Sequence, residues 1–105
     1  MKIGEFAQAI EAQQRVRYNR FFSDNEHKAV LVDKAATVVV KPGKKYTKID
    51  VGGSGKYMVV NETGEIFGIK AYGVIHRGHQ YGTLDTATEW DWSGYVATRA
   101  TISRG

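Results

Sequence analysis

At 105 residues the chain has the length of one domain, with material for one modest core and too little for two. Its 42% hydrophobic and 25% charged residues match globular proteins and exclude a disordered chain. The absence of cysteine excludes a disulfide framework, a thiolate nucleophile and a cysteine-based zinc site.

The net charge of +4 is unevenly spread: residues 1–56 hold eleven Lys/Arg against six Asp/Glu, residues 57–105 four against five. A basic half of this kind points to an anionic partner, nucleic acid foremost. The opening Met1-Lys2-Ile3-Gly4-Glu5-Phe6 lacks the apolar stretch of a signal peptide. Nowhere do about 18 apolar residues run together, so no membrane span is expected and the expected location is the cytoplasm.

Residues 3–15 read as a helix. Ile3, Phe6, Ala7, Ile10 and Gln14 recur at helical spacing and form an apolar stripe that ends on a polar residue. Glu5 in the first turn and Arg15 and Arg17 near the end suit the helix dipole. Ser23-Asp24-Asn25 is the expected break, with Asp24 or Asn25 capping a second short helix.

From Val38 the pattern becomes β. Residues 37–41 are a β-branched run stopped by Pro42-Gly43, where Pro fixes φ and Gly accepts a positive φ. Residues 46–51 alternate, with Thr47, Ile49 and Val51 on one face and Tyr46, Lys48 and Asp50 on the other. Residues 56–60 and 65–70 flank Asn61-Glu62-Thr63-Gly64, a β-hairpin with Gly64 at the left-handed position of its loop. Residues 71–85, with Gly73, Gly78 and Gly82, read as an irregular loop or broken strand. Short strands are expected at residues 83–85 and 95–98, and a frayed tail at 101–105. The expected fold class is α+β, with one or two N-terminal helices packed on an antiparallel sheet of four to five strands. The predicted core is Phe6, Ile10, Ile49, Val59, Ile66 and Ile69.

Four groups of residues invite a functional reading. Gly52-Gly53-Ser54-Gly55-Lys56 looks like a phosphate loop but has Tyr57 where Ser or Thr is required. A strand also follows it instead of a helix, so it reads as a connection between strands. His76-Arg77-Gly78-His79 places two imidazoles and a guanidinium together, as an acid–base pair on a phosphodiester would need, with Asp85, Glu89 and Asp91 following. No third residue has diagnostic ligand spacing, so no metal is expected, and no cofactor. Structural or surface histidines are the plainer alternative.

Lys41, Lys44, Lys45, Lys48 and Lys56 surround the first hairpin, with Arg15, Arg17 and Arg20 a second group. Tyr46, Tyr57, Tyr72 and Tyr81 interleave with them. Cations on phosphates beside rings that stack on bases are how sheets hold single strands. The alternative is that the lysines guard a sheet edge against aggregation. Trp90, Trp92 and Tyr95 either close one end of the core or anchor a protein interface, with partial burial and one accessible ring expected.

The segments Lys45-Tyr46-Thr47-Lys48-Ile49, Lys56-Tyr57-Met58-Val59, Thr63-Gly64-Glu65-Ile66-Phe67 and Tyr81-Gly82-Thr83-Leu84-Asp85 resemble a family of small, uncharacterised tailed-phage and mobile-element proteins. The resemblance is confined to residues 44–85. It implies a setting, a phage or prophage protein made in a bacterial cell and acting on a host or phage macromolecule, and no activity. The leading expectation is a small binding protein that contacts nucleic acid through the basic hairpin. The alternative is a protein-binding accessory factor or inhibitor of a host defence or polymerase component. Third comes a small metal-independent nuclease using His76 and His79.

Overall fold

In a computed structural model, which describes residues 1–71 and 74–99, the apolar stripe of the N-terminus becomes helix α1 (Ile3–Phe21). It runs on from the 3–15 stripe into the stretch from Tyr18 that the sequence leaves open, where Tyr18, Phe21 and Phe22 pack ring to ring. The Glu5 carboxylate accepts the Lys2 backbone N–H at 2.8 Å and closes the first turn. Helix α2 (Lys28–Ala36) follows the predicted break. Neither Asp24 nor Asn25 caps it: Asn25 Oδ1 accepts the His27 N–H at 2.8 Å and forms a side-chain turn ahead of the helix. Among the described residues no helix is long and apolar enough to cross a membrane.

The fold is α+β. Strands β1 (Val38–Pro42), β2 (Tyr46–Val51), β3 (Ser54–Val60), β4 (Glu65–Ala71) and β5 (Val74–Thr83) pair in chain order as a five-stranded antiparallel sheet. A two-stranded ribbon, β6 (Trp90–Asp91) with β7 (Thr98–Arg99), follows a short 3₁₀ turn at Ala87–Glu89.

The turns explain the register. Gly52 and Gly53 have φ of 62° and 86° and join β2 to β3 through two residues, the demand of a tight hairpin whose twist matches its strands. Gly64 has φ of 78°, as the hairpin pattern requires. Gly43 is needed for space instead of a positive φ, since a Cβ there would stand 2.6 Å from the Tyr46 carbonyl oxygen.

Cross-strand pairing sorts the side chains. Ile49, Tyr57 and Gly68 form one row and Thr47, Val59 and Ile66 another, both on the helix side. There Phe6 and Ile10 of α1 join Ile49, Tyr57, Val59, Ile66, Tyr81 and Trp92 in the core. Phe6, Tyr57, Tyr81 and Trp92 meet in tilted and edge-to-face contacts, the arrangement aromatic quadrupoles favour.

Three expectations need correction. Ile69 is only half-buried, because it stands three residues from Ile66 and a strand alternates faces. Residues 74–83 form a ten-residue strand rather than a loop, its glycines absorbed by register shifts against β4. A strand at Thr98–Arg99 replaces the one expected over 95–98, and residues 84–85 form a turn after β5. Tyr72, Gly73 and the tail at 101–105 lie outside the described residues.

Candidate functional site

The face of the sheet turned away from the helices carries the basic residues. Lys41 pairs with Lys48, Lys48 with Met58, Met58 with Phe67, and Phe67 with Gln80, one row across all five strands. Met58 and Phe67 are buried there, on the side away from the two described helices. Arg77 of β5 lies with its guanidinium 5.8 Å from the centre of the Phe67 ring, and its Nη2 donates to the Tyr46 hydroxyl at 3.2 Å. Cationic side chains thus lay their stems over a thin apolar stripe and keep their charge at the surface.

Lys44 and Lys45 sit in the β1–β2 turn, at one end of this face. That turn is held by Asn61 of the β3–β4 loop, whose Nδ2 donates to the carbonyls of Gly43 and Lys44 and whose Oδ1 accepts from the Thr47 hydroxyl. Lys45 Nζ stands 5.9 Å from the Tyr46 ring centre. The two central hairpins are therefore coupled, and the cationic turn is fixed by a side chain from the neighbouring loop.

The lysine group expected from the sequence is divided. Lys41, Lys44, Lys45, Lys48 and Tyr46 share the outer face or its end, and Arg77 joins them. Lys41 is anchored, its Nζ 2.9 Å from Asp50 Oδ2. Asp50 is only 5% exposed, contrary to a solvated outer position, because a register shift at Ile49 and Asp50 tucks it against the sheet. Lys56 and Tyr57 belong elsewhere. Tyr57 is 1% exposed in the core, so its ring cannot stack on a base. The same bulge sets Lys56 opposite no residue of β2 and sends it to the helix side, where its Nζ lies 4.1 Å above the Tyr95 ring. Burial first, and Arg17 second, holds the Lys56 ammonium below its ordinary pKa.

His76 and His79 of β5 come together, with ring centres 4.0 Å apart. Arg77 points to the opposite face and does not converge with them. Asp85, Glu89 and Asp91 are engaged elsewhere, with the N-terminal amine, Arg99 and Ser93 respectively. Among the described residues no three His, Asp or Glu side chains meet as metal ligands would.

The aromatic C-terminal group is also divided. Trp92 closes the core and donates its Nε1–H to the Ala87 carbonyl at 2.9 Å, Trp90 is half-buried, and Tyr95 is 81% exposed. Helix α1 grips this segment: Gln14 Nε2 donates to the Trp92 carbonyl at 2.6 Å, and Gln13 Oε1 accepts the Trp92 N–H at 2.7 Å. The polar residue that ends the apolar stripe is thus a buried clamp.

Sequence reasoning missed an apolar groove of about 450 Å³ beside α1, lined by Gln13, Val16, Arg17, Arg20, Phe21 and Ser93. Phe21 is 72% exposed and Val16 61%. The signal was Val16, an apolar residue lying off the stripe that Ile3, Phe6, Ile10 and Phe21 share. No family model, curated protein or solved structure matches the chain.

Proposed function

We propose that this protein binds nucleic acid across the outer face of its sheet, with unpaired bases against Tyr46 and phosphates on Lys44, Lys45, Lys48 and Arg77. One observation carries the reading: Lys48 stands on an interior strand beside Met58, with Arg77 and Tyr46 on the same face. Protection of a sheet edge accounts for Lys41 and Pro42 on β1 but not for Lys48 on β2. A face of cations interleaved with a ring and apolar side chains fits a single strand, which offers phosphates and stackable bases together. The setting that goes with this reading is also a proposal, resting on the resemblance read in residues 44–85: a bacterial cytoplasm, with host or phage nucleic acid as the partner.

A second reading, binding of a host or phage protein, is favoured by the groove at Val16 and Phe21. It moves the interface from Trp90 and Trp92 to α1 and leaves Tyr95 as an accessory ring. Pull-down from bacterial lysate, with and without nuclease, separates the two. Nuclease-sensitive recovery of nucleic acid is the expected result. A protein retained at full yield after nuclease would put the second reading first.

A further inference from the structure

The helix-side face of the sheet carries a second feature that the outer-face reading leaves unused. A cleft of about 150 Å³ opens where Lys56, Tyr57, His79, Tyr81, Tyr95 and Val96 meet. Among the described residues that line it there is no carboxylate. Gly68 also lines it, next to His79 and Tyr81.

Its polar groups are donors in search of an acceptor. Lys56 is half-buried, its ammonium held against the Tyr95 ring, with no carboxylate within ion-pair distance among the described residues. The Tyr57 hydroxyl is buried and, among the described residues, has no partner at good hydrogen-bonding geometry, although the Ala97 backbone lies close enough to lower its pKa. A buried hydroxyl without a partner is rare in a folded protein and calls for an explanation. Both hydroxyls carry their proton at neutral pH as any tyrosine does and can donate; burial raises the pKa of each further. Arg17 adds positive potential at the same place.

We propose that this cleft is an anion site for a phosphate monoester, with the phosphate oxygens accepting from the Lys56 ammonium, the Tyr57 and Tyr81 hydroxyls and the His79 imidazole. Separate donors converging from several directions suit a tetrahedral phosphate; a planar carboxylate is better matched by the fork of an arginine. The exposed Tyr95 ring at the mouth offers a stacking surface for an attached base. The phosphate belongs either to a free nucleotide or to the 5′ end of a strand. The site stands independently of the outer face.

The test is titration with inorganic phosphate at constant ionic strength, followed through backbone amide NMR shifts. Saturable shifts are expected at Lys56, Tyr57, Tyr81 and Val96. Lys56→Met should weaken the affinity about tenfold or more, the worth of one charge-assisted hydrogen bond. Tyr57→Phe, which removes one oxygen from a packed ring, should weaken it several-fold even if Lys56→Met folds poorly. Lys34→Met, at an exposed position of α2, should leave it unchanged. A preference for a 5′-phosphorylated oligonucleotide over its 5′-hydroxyl counterpart, erased by Lys56→Met, assigns the strand end. A mononucleotide binding as well as the phosphorylated oligonucleotide assigns the free nucleotide. Absence of saturable shifts at these residues, or equal affinity in wild type and both variants, would overturn the proposal.

Discussion

The two faces of the sheet are built from the same strands and answer to different physics. On the helix side, Ile49, Tyr57, Val59 and Ile66 meet Phe6 and Ile10, and the contacts are apolar and aromatic. On the outer side, Lys41, Lys48 and Arg77 lie over Met58 and Phe67, with no second layer among the described residues. One face consumes its side chains in folding, and the other covers a thin apolar stripe while keeping its charges at the surface. Substitutions should therefore separate: helix-side changes should move stability, and outer-face changes should move binding.

The largest expected effect tests the helix side. Ile10→Ala should cost about 2–4 kcal/mol in chemical denaturation, since a fully buried side chain is removed and a cavity remains. A loss under about 0.5 kcal/mol, the size of an ordinary surface substitution, would show that α1 does not carry the core.

Lys41 is where the division blurs. It is the outer-face lysine that pairs with buried Asp50, so Lys41→Ala should destabilise by about 1–3 kcal/mol by leaving a carboxylate oxygen without its cation. Adding Asp50→Asn should recover part of that loss, and a strictly additive double variant would mean that the pair is not coupled.

A turn gives the next effect. Gly64→Ala should cost about 1 kcal/mol through its left-handed backbone, because an added Cβ would meet Leu84 only at an ordinary 3.6 Å.

The smallest effect appears only in acid. Glu11 accepts the Val38 N–H and pairs with Arg15, which also reaches Asp33 of α2. The Val38 amide first, and Arg15 second, holds the Glu11 carboxyl below its ordinary 4.5. A folded-state pKa below the unfolded one gives stability that is present above about pH 4.5 and fades as pH falls through the folded value. Thermal melts should show a steeper loss below pH 4.5 in wild type than in Glu11→Gln. Parallel curves would remove Glu11 from the account.

Much of the helix side was legible in the sequence, because spacing alone places Phe6 and Ile10 on one stripe and Thr47, Ile49 and Val51 on one strand face. Gly64 announced its turn for the same local reason. Alternation also held the answer for Ile69, since residues three apart in a strand cannot share a face with Ile66. What spacing could not supply was register. Tyr57 and Lys56 read as surface residues beside the other lysines; alternation with Val59 already places Tyr57 on the helix side, and only the bulge opposite Ile49 and Asp50 turns Lys56 there as well. The β5 glycines read as chain breaks because the partner that tolerates its register shifts, β4, is defined only once the sheet forms. The outer face was half visible for this reason: its lysines were seen, while Arg77 was assigned to the histidines beside it in sequence.

The central claim is that the outer face holds nucleic acid by charge, and the salt dependence of affinity tests it most directly. For a single-stranded oligonucleotide, log affinity should fall linearly with log salt, by about 0.7 for each phosphate neutralised. Lys48→Ala should lower that slope by about 0.7 and weaken binding across sequences in a protein that remains folded. A salt-independent affinity, or a slope that Lys48→Ala does not change, would contradict the assignment of this face.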